Sequence, residues 1–144
     1  MSPNKKIRIL FVHHFSGMGG ATMSLFYIIE KLDPGIFEVE VLFLDGEGAG
    51  VKYYREHGIK THLLPGISLY PHAENSRISF IGRKPWKPVT LLMDIDTSVR
   101  KMLSFLETQE KFDIIHLNTS LLLAAGKAAK LSGAKVVWHI REPL

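Results

Sequence analysis

Three features of the sequence predict an α/β domain with a doubly wound, Rossmann-like parallel sheet. Short apolar runs alternate with helix-periodic segments from one end of the chain to the other. The runs are almost continuous in Val, Ile, Leu and Phe, as strands buried on both faces are. A glycine-rich stretch, Ser16-Gly17-Met18-Gly19-Gly20, joins the first run to the first helical segment.

Each element follows from its residues. Ile7 to Val12 is the first strand. From Ala21 to Leu32, the positions Ala21, Leu25, Ile28, Ile29 and Leu32 recur at helical spacing, and Asp33-Pro34-Gly35 ends the helix. Phe37 to Leu44 is the second strand, and Ala49 to His57 is a short helix closed by Gly58. Ile59 to Leu64 is a third strand, stopped by Pro65-Gly66. Residues 65–89 carry Pro65, Pro71, Pro85 and Pro88 without any clean period, which predicts a long loop. Leu92, Ile95, Val99, Met102, Leu103 and Leu106 then form one helical stripe, with Asp96 and Arg100 spaced to pair on the opposite face. Phe112 to Leu117 is the fourth strand. Leu121 to Leu131 is an alanine-rich helix suited to close approach to a sheet, closed by Gly133, and Val136 to Ile140 is the fifth strand. Right-handed crossovers then give strand order 3-2-1-4-5, with the switch point between the first and fourth strands.

Composition narrows the function. A length of 144 residues suits one domain, residues 1–144, and a hydrophobic content of 46% excludes intrinsic disorder. With no cysteine, disulfide, thiolate and zinc-thiolate chemistry are excluded. The seven histidines lack metal-ligand spacing, so no metal is expected. A net charge of +4 suits an anionic partner but is no concentrated basic stripe, so nucleic acid is not expected. No apolar run reaches the roughly 20 residues of a membrane span. Lys5 and Lys6 precede an apolar stretch that His13-His14 cuts short, so it reads as a strand, not a signal peptide, and the expected compartment is the cytoplasm. The chain stops at Arg141-Glu142-Pro143-Leu144, directly after the fifth strand, which predicts a piece of a longer protein.

The glycine turn is the main candidate site. Glycine lets a backbone turn tightly and bring its N–H groups against a ligand, and a helix N-terminus adds partial positive charge. Phosphate is the ligand that suits this arrangement; a tight turn without a ligand needs glycine as well. The P-loop pattern is absent, and G-x-G-x-x-G would need glycine where Thr22 stands. Asp45, at the end of the second strand, stands where a dinucleotide-binding protein keeps its ribose-binding acid.

Four stretches resemble the N-terminal domain of a family-4 glycosyltransferase of the GT-B type. They are Lys6 to Val12, Gly19-Gly20-Ala21 with its apolar helix, Phe112-Asp113-Ile114-Ile115-His116-Leu117-Asn118, and Val136-Val137-Trp138-His139-Ile140-Arg141-Glu142. The resemblance covers nearly the whole chain and rests on order and spacing rather than on one motif. It implies the acceptor-side domain of a retaining enzyme that moves a sugar from a nucleotide-sugar donor to a sugar or lipid-linked acceptor, with no metal or other cofactor. It implies that Gly19 and Gly20 meet the donor diphosphate and that His139 lies near the transferred sugar. The family often has an acid after Gly-Gly-Ala, and here Thr22 takes that place. The other half, with its donor-binding carboxylates, is absent, so the chain is expected to transfer no sugar without its C-terminal domain.

Other residues carry paired readings. His139 either serves the sugar or is a half-buried histidine satisfied by backbone; the resemblance favours the first. His116, inside an apolar strand, reads as core. His13 and His14 alternate across the strand, so one faces the cleft; His14 is taken as the cleft residue. Asn118 ends the fourth strand at the switch point, where a polar group would meet an acceptor, and Arg141 is counted with it and His14 in the acceptor cleft, although Arg141 could instead pair with Glu142 or meet a phosphate. Ser120 reads as the cap of the following helix. Arg77, Arg83, Lys84 and Lys87 surround Trp86, so residues 77–87 are either a solvated loop or a peripheral contact with anionic lipid on the cytoplasmic face. Two other functions compete: a dinucleotide-dependent oxidoreductase, and a non-catalytic α/β binding module.

Overall fold

The computed structural model describes residues 5–69 and 87–140, with the backbone alone for 87–92. Five strands, β1 (Ile7–His13), β2 (Phe37–Phe43), β3 (Lys60–Leu63), β4 (Ile114–Leu117) and β5 (Lys135–Trp138), form one parallel sheet in the order β3-β2-β1-β4-β5. This is the predicted Rossmann-like order. Four helices connect them: α1 (Gly20–Glu30), α2 (Ala49–Glu56), α3 (Lys87–Glu107) and α4 (Leu123–Leu131).

Strand alternation sorts the core into two layers. Ile9, Phe11, Val41 and Phe43 pack with Leu25, Phe26 and Ile29 of α1 and with Val51 and Tyr54 of α2. Leu10, Val12, Leu42, Ile115 and Leu117 face the other way, against Val99, Met102 and Leu106 of α3 and the alanines of α4. The alanines bring α4 close: a Cβ on Gly126 would stand 3.1 Å from Leu117 Cδ1 and 3.2 Å from the Trp138 ring. Gly58 and Gly133 adopt φ of 74° and 79°, the left-handed helix ends that their positions predicted. Arg100 pairs with Asp96 at 2.7 Å on the exposed side of α3.

The structure departs from the sequence reading at three places. α3 begins at Lys87, inside the stretch taken as loop; Pro88 fits its first turn, where the missing N–H costs nothing. α4 begins at Leu123 behind Leu122, with no side-chain cap, so Ser120 is not its cap. The strand runs instead into a turn in which Thr119 Oγ1 accepts the Leu121 amide at 3.4 Å. His116 is half-buried rather than core, because it pairs in register with Val137 on β5, a strand exposed at every position. Leu92's side chain, Arg141 and the basic loop around Trp86 lie outside the described residues, as does the Lys87 side chain. Among the described residues, no helix is long and apolar enough to cross a membrane.

At the amino end of the sheet, one buried carboxylate organises three strands. Glu40, 1% exposed, accepts hydrogen bonds from Arg8 and from His62 Nε2 (2.5 Å), and Lys60 Nζ stands at 3.2 Å. Burial by itself would raise the Glu40 carboxyl, but these donors outweigh it and hold the group below its usual range. Burial lowers Arg8 and the facing carboxylates raise it, with a net upward shift. The guanidinium also stacks 4.7 Å from the Phe112 ring centroid. Asp113 ties the same end together, its Oδ2 accepting the Arg8 amide at 2.9 Å, which gives the acid of the Phe112-to-Asn118 motif a structural role.

Candidate functional site at the glycine turn

All five strands run the same way, so the chain segments leaving β1, β4 and β5 emerge on one edge of the sheet. That edge carries the glycine turn, Asn118 and His139. The switch point between β1 and β4 falls where the sequence predicted it.

α1 starts behind Gly19, which is fully extended (φ −165°, ψ 175°), with its carbonyl accepting the Met23 amide at 2.9 Å. No side chain caps the helix, and no acid lies in its first turn. Among the described residues, the amides of Gly19, Gly20, Ala21 and Thr22 have no acceptor. An uncapped first turn of this kind offers N–H groups and partial positive charge to an anion. The exposed Phe15 ring lies close over Gly17, where a Cβ would stand 2.4 Å from its Cζ and displace the ring.

The second glycine loop, between β2 and α2, was not singled out from the sequence. It packs under the first. The Gly50 amide donates to the Ser16 carbonyl at 2.8 Å, and a Cβ on Gly48 would meet that oxygen at 2.4 Å. A Cβ on Gly50 would meet the Gly17 carbonyl at 2.7 Å. The signal was in the sequence as Gly46-Glu47-Gly48-Ala49-Gly50, glycines at alternate positions after a strand. Asp45 Oδ2 accepts a hydrogen bond from Ser16 Oγ at 3.2 Å, so this acid braces the turn.

Beneath the turn lies a buried polar network that the sequence reading also missed. Thr22 Oγ1 donates to the Gly17 carbonyl at 2.9 Å and stands 3.1 Å from His13 Nε2. Asn118 Nδ2 stands 3.2 Å from His13 Nδ1 and 3.4 Å from the Ala21 carbonyl. Tyr54 donates its hydroxyl proton to the Thr22 carbonyl at 2.8 Å. His13, Thr22, Tyr54 and Asn118 are each fully buried. Asn118 thus supports the turn from within and does not line an open surface.

The other predicted residues are placed as follows. His14 is half-buried just beyond β1, its ring 5.4 Å from that of His13. His139 is half-buried just beyond β5, its amide bonded to the Leu117 carbonyl at 2.8 Å and its ring 5.7 Å from that of His116. His116 in turn lies 4.8 Å from Phe11 of β1. Among the described residues, no cluster of His, Asp or Glu has the make-up of a metal site.

Comparison with known proteins places the fold. Over 94% of this chain and 35% of the other, it superposes on MurG of Acinetobacter baumannii with a TM-score of 0.60 at 16% identity, a likeness of fold. The chain spans about a third of MurG's length. It also superposes on the C-terminal domain (residues 83–215) of the PF1911 hydrogenase of Pyrococcus furiosus, with a TM-score of 0.53, 14% identity and 96% of both chains covered. A UGT transferase of Siraitia grosvenorii, solved in complex with UDP, gives a TM-score of 0.47 at 13% identity over 92% of this chain and 27% of that one. No protein-family model matches the sequence, and no curated protein matches it. Since this architecture serves unrelated chemistries, function has to be argued from the site.

Proposed function

We propose that this chain is the acceptor-side, N-terminal domain of a retaining, family-4 type glycosyltransferase that moves a hexose from a nucleotide sugar to a sugar or lipid-linked acceptor. The observation that carries the reading is the first turn of α1. It is uncapped, free of acid, built on extended Gly19 and set at the switch point of the sheet. A diphosphate is the ligand that such a turn serves best, and Gly19 and Gly20 are its contacts. His139 reaches the transferred sugar from the end of β5, where a neutral imidazole hydrogen-bonds a hydroxyl or the departing oxygen. His14 and Arg141 serve the acceptor, and Asn118 acts from below the turn. The C-terminal domain supplies the rest of the donor site, so the chain without it transfers no sugar. The protein works in the cytoplasm, and residues 77–87 give it a peripheral hold on the membrane's inner face.

Against the dinucleotide reading stand Thr22, where a third glycine would be needed, and the engagement of Asp45 with Ser16. One titration series decides between them. UDP and inorganic pyrophosphate are expected to bind with comparable, weak affinity, and NADH no better than pyrophosphate. Tight NADH binding with loss of affinity in Asp45→Ala would overturn the assignment. Product from the 144-residue chain and any nucleotide sugar would refute the dependence on a second domain.

A further inference from the structure

We propose that His13, held as the neutral tautomer with its proton on Nε2, is the positioning residue of the glycine turn, acting through Thr22 on the Gly17 carbonyl. The inference rests on the diphosphate reading for its purpose but not for its geometry.

The hydrogen-bond directions follow from donor and acceptor counting. A carbonyl only accepts, so the Thr22 hydroxyl proton points to Gly17 O at 2.9 Å. The hydroxyl oxygen can then only accept at its contact with His13, which makes Nε2 the donor across 3.1 Å. On the opposite side of the ring, the Asn118 side chain is within reach of the Ala21 carbonyl, which calls for the NH₂ group there. The same NH₂ group faces His13 Nδ1 at 3.2 Å, so Nδ1 accepts. One donor and one acceptor on the ring is neutral imidazole, and only the Nε2–H form satisfies both contacts.

Both outer ends of this relay reach backbone, Gly17 O in the turn and Ala21 O in the first turn of α1. His13 ends β1 and Asn118 follows β4, so the two strands at the switch point grip the turn at Gly17 and Ala21. Tyr54 fixes the Thr22 carbonyl from α2. The residues between Gly17 and Ala21 include Gly19 and Gly20, which have no side chains to anchor them. Their amide directions are set by what holds the two ends. This gives Thr22 a purpose where the resembling family often has an acid: its hydroxyl faces inward and leaves the helix N-terminus without a competing negative charge.

The test uses the full chain. Long-range ¹H–¹⁵N correlation of the His13 ring at neutral pH is expected to show protonated Nε2 and bare Nδ1; the opposite tautomer or an imidazolium overturns the proposal. Thr22→Val removes both hydroxyl bonds at nearly constant volume, and Thr22→Ser keeps them. In Thr22→Val, amide exchange across Gly17 to Ala21 is expected to accelerate about tenfold relative to the amides of β1 and β2, with Thr22→Ser within about twofold of the parent. His13→Gln, which retains one donor and one acceptor, is expected to stay closer to the parent than His13→Leu. Equal acceleration in turn and strands, or no recovery in Thr22→Ser, means a role in stability alone and refutes positioning. Pyrophosphate titration separates the two claims. If the parent chain does not bind it, the diphosphate reading fails while the exchange result still decides the role of His13.

Discussion

The two ends of the sheet solve the problem of buried polar groups differently. At the amino end, Glu40 draws Arg8 and Lys60 into a cluster of full charges that spans β1, β2 and β3, with the His62 ring hydrogen-bonded to the same carboxylate. At the carboxyl end, His13, Thr22, Asn118 and Tyr54 form a neutral relay that terminates on backbone. A charged cluster at the carboxyl end would set up its own field beside any bound anion. A neutral one fixes the backbone and leaves the field of the α1 N-terminus intact. The difference teaches that the amino end ties strands to one another, and the carboxyl end ties the glycine turn and the first turn of α1 to the sheet.

The largest expected effect lies at the amino end. Glu40→Ala leaves the buried Arg8 guanidinium to the more exposed Glu38 and Glu110 and is expected to cost about 3 kcal/mol in urea denaturation. The pH dependence follows from the same carboxyl. Its folded-state value lies below its unfolded one, so its contribution is present above the unfolded value of about 4.3 and is lost as pH falls through the folded value. The urea midpoint of the parent is therefore expected to fall steeply below about pH 4, and that of Glu40→Gln less so. Comparable pH slopes in the two would break the contrast between the ends.

Smaller effects are expected at the carboxyl end, and of a different kind. Gly50→Ala forces its Cβ against the Gly17 carbonyl and is expected to cost about 1–3 kcal/mol, with amide shifts centred on Ser16 to Gly20. Thr22→Val is expected to lie at about 1–2 kcal/mol by thermal or urea denaturation. Arg100→Ala, breaking the exposed pair with Asp96, is expected to change stability by no more than about 0.5 kcal/mol. A larger loss from Arg100→Ala than from Gly50→Ala would contradict this ranking.

Period and punctuation made the fold legible. The apolar runs marked the strands, Gly58 and Gly133 marked helix ends, and the glycine turn marked the switch point. Proline hid the start of α3, because Pro88 breaks a helix interior but suits its first turn. Ser120 misled because a hydroxyl before a helical run is the commonest cap, yet the chain turns once more before α4 begins. The site was legible only as far as its backbone. Gly19 and Gly20 could be picked out because they cluster between a strand and a helix, where a tight turn needs glycine with or without a ligand. His13, Thr22, Asn118 and Tyr54 meet only through tertiary packing, 105 residues separating His13 from Asn118, and no local pattern joins them. Asn118 was noticed for its place at the end of a strand, but its contacts with His13 and the Ala21 carbonyl are tertiary.

The direct test of the account is a UDP titration of the ¹⁵N-labelled chain followed at single amides. The account predicts that Gly19, Gly20, Ala21 and Thr22 shift together and saturate on one curve, with His139 following. Shifts confined to residues around Asp45, or none at the glycine turn at millimolar UDP, would contradict it.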